Sequence, residues 1–218
     1  MQVRRPVICV VTRARGAADS VERTALLGRL AAAAAAGATM IQLRERQLDD
    51  RGLVRFVEEV VAAVRPSAAL VIVNDRTDIA LASRADGVHL KSNAPSAHDV
   101  RAIVPPGFVI GRSVHSAAEA REVEATGGCD YLFFGTVFPS ASKPVDHPVA
   151  GVDALASTCR AVSIPVVAIG GISVSTAREV AAAGAAGIAA ISLFAGPSDV
   201  SATVHAIADA LTLPRASV

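Results

Sequence analysis

The stretch from Ile164 to Ser192 constrains the fold more than any other part of the chain. An apolar, β-branched run ends in Gly170-Gly171, a helical segment follows, and a second apolar run leads to Ser192. This order predicts a βαβ unit, and near-continuous apolar runs are typical of strands buried on both faces of a parallel sheet. Glycine lets a ligand approach the backbone closely, and loops late in eight-stranded α/β barrels often hold phosphate. The stretch therefore predicts a site for a phosphorylated small molecule.

The same alternation of strand and helix continues along all 218 residues. Strands are predicted at Val7–Val11, Met40–Leu43, Leu70–Asn74, Gly87–Leu90, Val109–Ser113, Tyr131–Phe134, Val166–Ile169 and Gly187–Ile191. Helices are predicted at Val21–Ala36, Asp49–Val64, Thr77–Ser83, Ala97–Val104, Ala117–Ala125, Val152–Arg160, Val174–Ala183 and Val200–Leu211. Eight such units pair in parallel and close into a barrel. The predicted fold class is α/β, a single (β/α)8 TIM barrel over residues 1–218, with residues 213–218 frayed.

Composition excludes several classes of function. The formal net charge is +1 and aromatic residues make up 3% of the chain, which argues against a nucleic-acid partner. No apolar run is long enough to span a membrane. Cys9, Cys129 and Cys159 lie far apart without metal-ligand spacing, which is typical of buried thiols in a reducing compartment. We therefore expect a cytoplasmic protein without a membrane partner. Barrel helices can also pack against a second copy, so a homo-oligomer stays open.

Working residues of such barrels lie at the carboxyl ends of the strands. Gln42, Arg44 and Arg46 close the second strand, and side chains two residues apart share one face of an extended segment. Two guanidinium groups at the barrel mouth would bind a diphosphate through paired hydrogen bonds. The alternative is a solvated charged turn that is paired through Glu45.

Asn74 and Asp75 end the third strand in the same manner. A carboxylate at the tip of a buried strand can bind Mg²⁺, with water and phosphate oxygens as the other ligands. The alternative is that Asp75 pairs with Arg76 or caps the helix that begins near Thr77.

Ser140, Ser142 and Lys143 follow the apolar sixth strand. Two hydroxyl groups and an ammonium group within four residues could bind a phosphate or stabilise a departing diphosphate, although an ordinary serine-rich loop has the same composition. His89 ends the fourth strand, where a structural and a catalytic role stay equally open. His115 could contact a ligand or cap the next helix.

Taken in order, these motifs resemble the thiamine phosphate synthase and thiazole tautomerase (TenI) superfamily. The resemblance is carried by IQLRER, VIVNDRTDIAL, ADGVHL, IGRSVHS, DYLFFGTVFPSASK, PVVAIGGI and AGIAAIS. It implies a barrel that binds thiazole phosphate, and in the synthase a reaction with hydroxymethylpyrimidine diphosphate that releases diphosphate with the help of Mg²⁺. The resemblance places Gln42, Arg44, Arg46, Asn74 and Asp75 on the pyrimidine-diphosphate and metal side. It places Ser113, Ser140, Ser142 and Lys143 on the diphosphate, and Gly170, Gly171, Ile191 and Ser192 around the thiazole phosphate.

Three positions depart from the family patterns. The synthase pattern GVHLGQxD has a second metal-binding Asp where this chain has Ala94, and Arg46 stands where synthases commonly have Lys. The tautomerase branch can carry a catalytic His after the sixth strand, where this chain has Thr136.

Three functions follow in order of preference. The retained diphosphate motifs favour the synthase, in which the leaving group is stabilised by Arg44, Arg46, Lys143 and Mg²⁺ on Asp75. The alternative is a tautomerase with His89 as the acid–base group, and the third is a phosphate-binding barrel without catalysis.

Overall fold

Eight parallel strands close into a barrel in the computed structural model of the chain, which describes residues 3–13, 21–140, 144, 146–195 and 199–212. The strands are β1 Val7–Val11, β2 Met40–Leu43, β3 Leu70–Asn74, β4 Gly87–Leu90, β5 Val109–Val114, β6 Tyr131–Phe134, β7 Val166–Ile169 and β8 Gly187–Ala190. Each strand pairs with its neighbours in chain order, and β8 pairs with β1. The predicted TIM barrel is confirmed. The fraying predicted for residues 213–218 falls outside the described residues.

Helices occupy every interval between strands. They are α1 Val21–Ala35, α2 Asp50–Val64, α3 Thr77–Ala82, α4 Ala97–Ile103, α5 Ala117–Thr126, α6 Gly151–Ala161, α7 Val174–Ala182, α8 Ser192–Ala195 and α9 Val200–Thr212. The short helix α8 was not predicted, because four residues carry no helical periodicity. Side-chain caps fix several starts: Asp49 accepts from the Gly52 amide at 2.7 Å, and Ser173 forms a capping box with Thr176. None of the described helices is long and apolar enough to cross a membrane.

The core has two layers, which follow from the alternation of side chains along each strand. On β1, Val7, Cys9 and Val11 point into the barrel, whereas Ile8 and Val10 pack against the helices. Cys9 is fully buried, and this burial raises the pKa of its thiol. The prediction of an inert core thiol at this position is therefore confirmed.

A tyrosine fills the barrel interior beneath the mouth. Tyr131 of β6 is fully buried, and its partner in the strand register is Gly111 of β5. A Cβ atom at Gly111 would lie 2.1 Å from the Tyr131 ring, so only glycine leaves space for it. The Tyr131 hydroxyl lies 3.1 Å from His89 Nδ1, which connects the packed interior to the site above it.

Candidate active site

A cavity of about 590 Å³ opens at the carboxyl ends of the strands, where barrel active sites are found. The predicted site residues in its wall are Gln42, Arg44, Arg46, Asn74, His89, Ser113, Ser140, Gly170, Gly171, Ile191 and Ser192. Asp75 does not line the cavity. Ser142 and Lys143 lie outside the described residues, so their roles stay predictions from the sequence.

The cavity wall is strongly cationic. Arg13, Arg44 and Arg46 all line it, and none of its described lining residues is an aspartate or glutamate. Partial burial, followed by repulsion from Arg46 and Arg13, lowers the pKa of Arg44 from its ordinary value. Guanidinium groups that repel one another without a carboxylate between them favour a multiply charged anion as the ligand.

A buried hydrogen-bond chain positions Arg44. The Thr12 hydroxyl accepts from the Arg44 amide at 3.0 Å and donates to the Glu45 carboxylate. Glu45 is 7% exposed, so it is not the solvated charge that the alternative of a surface turn requires. The alternation after β2 thus sends Gln42, Arg44 and Arg46 into the cavity and Glu45 into the wall behind it.

An amide pair lies below the arginines. Gln42 Nε2 donates to Asn74 Oδ1 at 3.0 Å, which joins the ends of β2 and β3. The Oε1 atom of Gln42 is buried and has no hydrogen-bond partner among the described residues. Buried amide oxygens are nearly always satisfied, so this one is available to a donor from an ordered water or a bound ligand.

His89 forms part of the cavity floor. Its Nε2 atom lies 2.9 Å from Ser113 Oγ, its Nδ1 atom 3.1 Å from the Tyr131 hydroxyl, and its ring packs on Phe133 at 4.2 Å. Complete burial lowers the pKa of His89 from 6.5 to about 3, so the imidazole is neutral at pH 7. With both ring nitrogens engaged, His89 orients Ser113 toward the cavity.

Asp75 is paired elsewhere. It adopts a left-handed backbone conformation, with φ of 66°, which Asp tolerates better than most residues. Its Oδ2 atom lies 2.7 Å from Lys91 Nζ, and its Oδ1 atom accepts from the Lys91 amide at 3.1 Å. Both alternatives considered for this carboxylate are wrong: Arg76 pairs with Asp50 and Asp78, and α3 has no side-chain cap.

A double-glycine loop forms the opposite wall. Gly170 and Gly171 have φ of 98° and 66°, respectively. A Cβ atom at Gly171 would lie 2.3 Å from the Pro139 carbonyl oxygen, because the loop packs tightly against the segment after β6. The exposed backbone between this loop and Ser192 suits a phosphate group.

Sequence reasoning missed two wall residues, Gln47 and His147. Arg13 and Thr136, which follow the first and sixth strands, also line the cavity, as does His115, for which a ligand contact was one option. Arg13 lies two residues after β1, at a strand end where working residues are expected. His147 carried a weaker signal, because it lies late in the loop between β6 and α6 and its position depends on how that loop folds back.

Comparison with known proteins identifies the family. A family model described as thiamine monophosphate synthase matches residues 8–194. The chain belongs to this family. The thiamine-phosphate synthase of Methanoculleus marisnigri is 43% identical over 190 residues, which are 87% of this chain and 89% of that protein. The thiamine-phosphate synthase of Coprothermobacter proteolyticus is 43% identical over 175 residues, or 80% and 82% of the two chains.

A solved structure agrees with the sequence matches. The thiamine phosphate pyrophosphorylase from Pyrococcus furiosus is 34% identical, has a TM-score of 0.80, and aligns over 94% of this chain and 95% of its own. The resemblance inferred from the motifs and the barrel fold are therefore both confirmed.

The thiamine monophosphate synthase family generally uses Mg²⁺, but the residues around Asp75 do not fit this ion. Both oxygens of Asp75 are engaged by Lys91, and Ala94 supplies no second carboxylate. Among the residues that the structure describes, no three His, Cys, Asp or Glu side chains form a group that could hold a metal. Mg²⁺ prefers an octahedron of oxygen ligands, and the one carboxylate in this donor set is already paired with an ammonium group.

Proposed function

We propose that this protein is a thiamine-phosphate synthase, which joins hydroxymethylpyrimidine diphosphate to thiazole phosphate and releases diphosphate. One observation carries the proposal: Arg13, Arg44 and Arg46 converge on a cavity whose described wall contains no carboxylate. Such a wall suits a ligand with several negative charges. The glycine loop at Gly170-Gly171 provides a separate place for the phosphate of the second substrate.

The amide pair supports an aminopyrimidine as the group that carries the diphosphate. Gln42 Oε1 lacks a donor among the residues that the structure describes, and the exocyclic amine of the pyrimidine would supply one. Asn74 fixes the Gln42 side chain through its hydrogen bond, so the orphan oxygen keeps one direction. The pyrimidine would then lie between this pair and the arginines, with its diphosphate toward Arg44.

The proposed chemistry is a dissociative substitution. The bond between the pyrimidine methylene carbon and the diphosphate oxygen breaks, and its electron pair leaves with diphosphate. Arg13, Arg44 and Arg46 stabilise the charge that develops on this leaving group, which is usually a large catalytic term. Ser113, oriented by His89, would donate to a diphosphate oxygen. Ser140, Ser142 and Lys143 are proposed for the same group, the last two from sequence alone.

The second half of the reaction forms the new bond. The thiazole nitrogen donates its lone pair to the methylene carbon of the pyrimidine cation, and no proton needs to leave this nitrogen. Gly170, Gly171, Ile191 and Ser192 would hold the thiazole phosphate so that the nitrogen faces the cation. Because Asp75 is paired with Lys91, every charge in this scheme is provided by the chain or the substrates.

The direct test is to incubate the purified protein with both substrates and to quantify thiamine phosphate and diphosphate by chromatography. We expect the two products in equal amounts. The assay includes saturating Mg²⁺, so that a need for metal cannot hide the activity. Absence of both products under these conditions would contradict the proposed function.

A thiazole tautomerase is the second candidate, because His147 and His115 line the same cavity and could transfer protons. His89 is less suited to this task, since a pKa of about 3 makes its imidazole a weak base at neutral pH. Incubation with the thiazole carboxylate phosphate alone would reveal tautomerisation. If only this assay gives turnover, and His147→Gln abolishes it, the tautomerase replaces the synthase as the function.

A further inference from the structure

Two cations of the chain itself hold the loop after β4, residues 91–96. Arg112 donates to the carbonyl oxygens of Ser92 at 2.7 Å, Pro95 at 2.7 Å and Ala94 at 3.2 Å. Lys91 anchors the start of the loop to Asp75 through its ammonium group and its backbone amide. The loop is therefore fixed without an external ion.

The Asp75 carboxylate has little capacity for a second cation. One oxygen lies 2.7 Å from Lys91 Nζ and the other accepts from the Lys91 amide, while 18% of the side chain is exposed. The Asp75 amide donates to the His89 carbonyl at 2.8 Å, which fixes the turn that points the carboxylate at Lys91. A divalent ion would have to displace the ammonium group against its own positive charge.

The second metal-binding position is also closed. Where the family pattern has an aspartate, Ala94 packs its partly buried side chain against the hydrophobic core. A carboxylate there would meet apolar neighbours rather than a second ligand. The absence of this carboxylate removes a negative charge from the site, and Lys91 adds a positive charge. Together they change the net charge of the site from negative to balanced.

We propose that the Lys91 ammonium group is the resident cation of Asp75 and stands in place of a divalent metal, so that this enzyme works without one. This inference rests on the proposed synthase function. The ammonium group supplies one positive charge and three donors at Asp75, whereas the negative charge of the diphosphate is balanced by Arg13, Arg44 and Arg46 in the cavity wall. Lys91 is thereby a positioning residue, which anchors the loop of residues 91–96 to Asp75 at the end of β3.

The first test measures metal binding without any substrate. Mn²⁺ reports on Mg²⁺ sites, and its free concentration is read from its electron paramagnetic resonance signal. Lys91→Ala should bind Mn²⁺ at least about tenfold more tightly than the natural protein, because the competing charge is gone. Lys91→Arg is the matched control, which keeps the charge and should not gain affinity. Any gain smaller than this in Lys91→Ala overturns the proposal.

A second variant locates the new ion. Adding Asp75→Asn to Lys91→Ala should remove the gained Mn²⁺ affinity, since the only carboxylate of the site is then lost. Retained affinity would place the ion elsewhere and overturn the proposal. Thermal unfolding of each variant shows whether the fold is intact, and Lys91→Gln replaces Lys91→Ala if the alanine variant does not fold.

Activity provides the complementary readout. In excess EDTA the natural protein should keep its synthase rate within about threefold of the rate with Mg²⁺. Lys91→Ala should lose more than about threefold in EDTA and regain it with Mg²⁺, a rescue that a purely structural role would not give. The proposal is overturned if the natural protein loses more than about threefold in EDTA, or if Mg²⁺ does not restore the rate of Lys91→Ala. If no synthase activity exists under any condition, the proposed function fails, and the Mn²⁺ measurement alone decides the role of Lys91.

Discussion

Replacement of His89 should remove a large part of the protein's sensitivity to acid. The imidazole is 2% exposed and contacts Ser113 and Tyr131 through its two ring nitrogens. Burial lowers its pKa from 6.5 to about 3. Between these two values the unfolded chain binds a proton that the folded chain does not. The contribution of His89 to the free energy of unfolding is therefore fully present above pH 6.5 and decreases as the pH drops toward 3.

The magnitude follows from the two pKa values. One pKa unit corresponds to about 1.4 kcal/mol, so lowering the pH from about 7 to about 4.5 should cost about 2.5 kcal/mol of unfolding free energy through His89. This is a sizeable share of the about 5–15 kcal/mol that a folded domain typically has. Asp78 and Glu124 also have lowered pKa values, caused by Arg76 and by Ser163 respectively, but they titrate equally in both proteins and cancel.

Urea unfolding followed by circular dichroism at several pH values provides the test. His89→Gln should be less stable at neutral pH, yet its unfolding free energy should fall by about 2.5 kcal/mol less than that of the natural protein between about pH 7 and 4.5. His98→Gln, at an exposed position on α4, is the control for the loss of any histidine. Parallel pH curves for the natural protein and His89→Gln would refute the assignment of a buried neutral imidazole.

Three further predictions concern the cavity wall. Arg44→Gln should lower kcat by about 10²-fold, because it removes a donor to the leaving group. Arg55→Gln, on the exposed face of α2, is the control and should leave kcat unchanged. Steady-state assays with both substrates measure kcat for each variant. Gln42→Leu should raise the KM for the pyrimidine substrate by about tenfold, since it deletes the acceptor for the amine, and an unchanged KM would argue against that contact. Gly171→Ala should weaken thiazole-phosphate binding and lower the melting temperature, because the new Cβ would lie 2.3 Å from a carbonyl oxygen. Gly28→Ala in α1 is the matched control. Its Cβ would meet no atom within 4 Å, so this variant should stabilise the fold by up to about 1 kcal/mol. Calorimetric titration and thermal unfolding of both glycine variants would show whether the losses of binding and stability come from the loop at Gly171 or from replacing any glycine.

The sequence was sufficient to predict the barrel because each strand is a short buried run with clear borders. The six strands from β2, which ends at Leu43, to β7, which ends at Ile169, consist mainly of apolar residues that face the interior or the helices. Their polar successors therefore had to meet at the mouth. Gln42, Arg44 and Asn74 reach the cavity for this reason alone.

Contacts between loops could not be predicted in this way. The pair of Asp75 and Lys91 spans 16 residues and depends on a left-handed turn that no periodicity encodes. Glutamate is usually found at the surface, so the sequence predicts an exposed side chain at Glu45. A hydrogen bond from Thr12, which directly follows β1, makes its burial possible. His147 reaches the cavity only because its long loop returns to the mouth.

The fit between Gly111 and Tyr131 sets the depth of the pocket. The tyrosine ring occupies space that any other residue at position 111 would take, and above it His89 and Phe133 form a stacked floor. A larger side chain on β5 would push this floor toward the mouth and shorten the space available to a ligand. Pocket size in this barrel is therefore controlled from beneath, at a position that never touches a substrate.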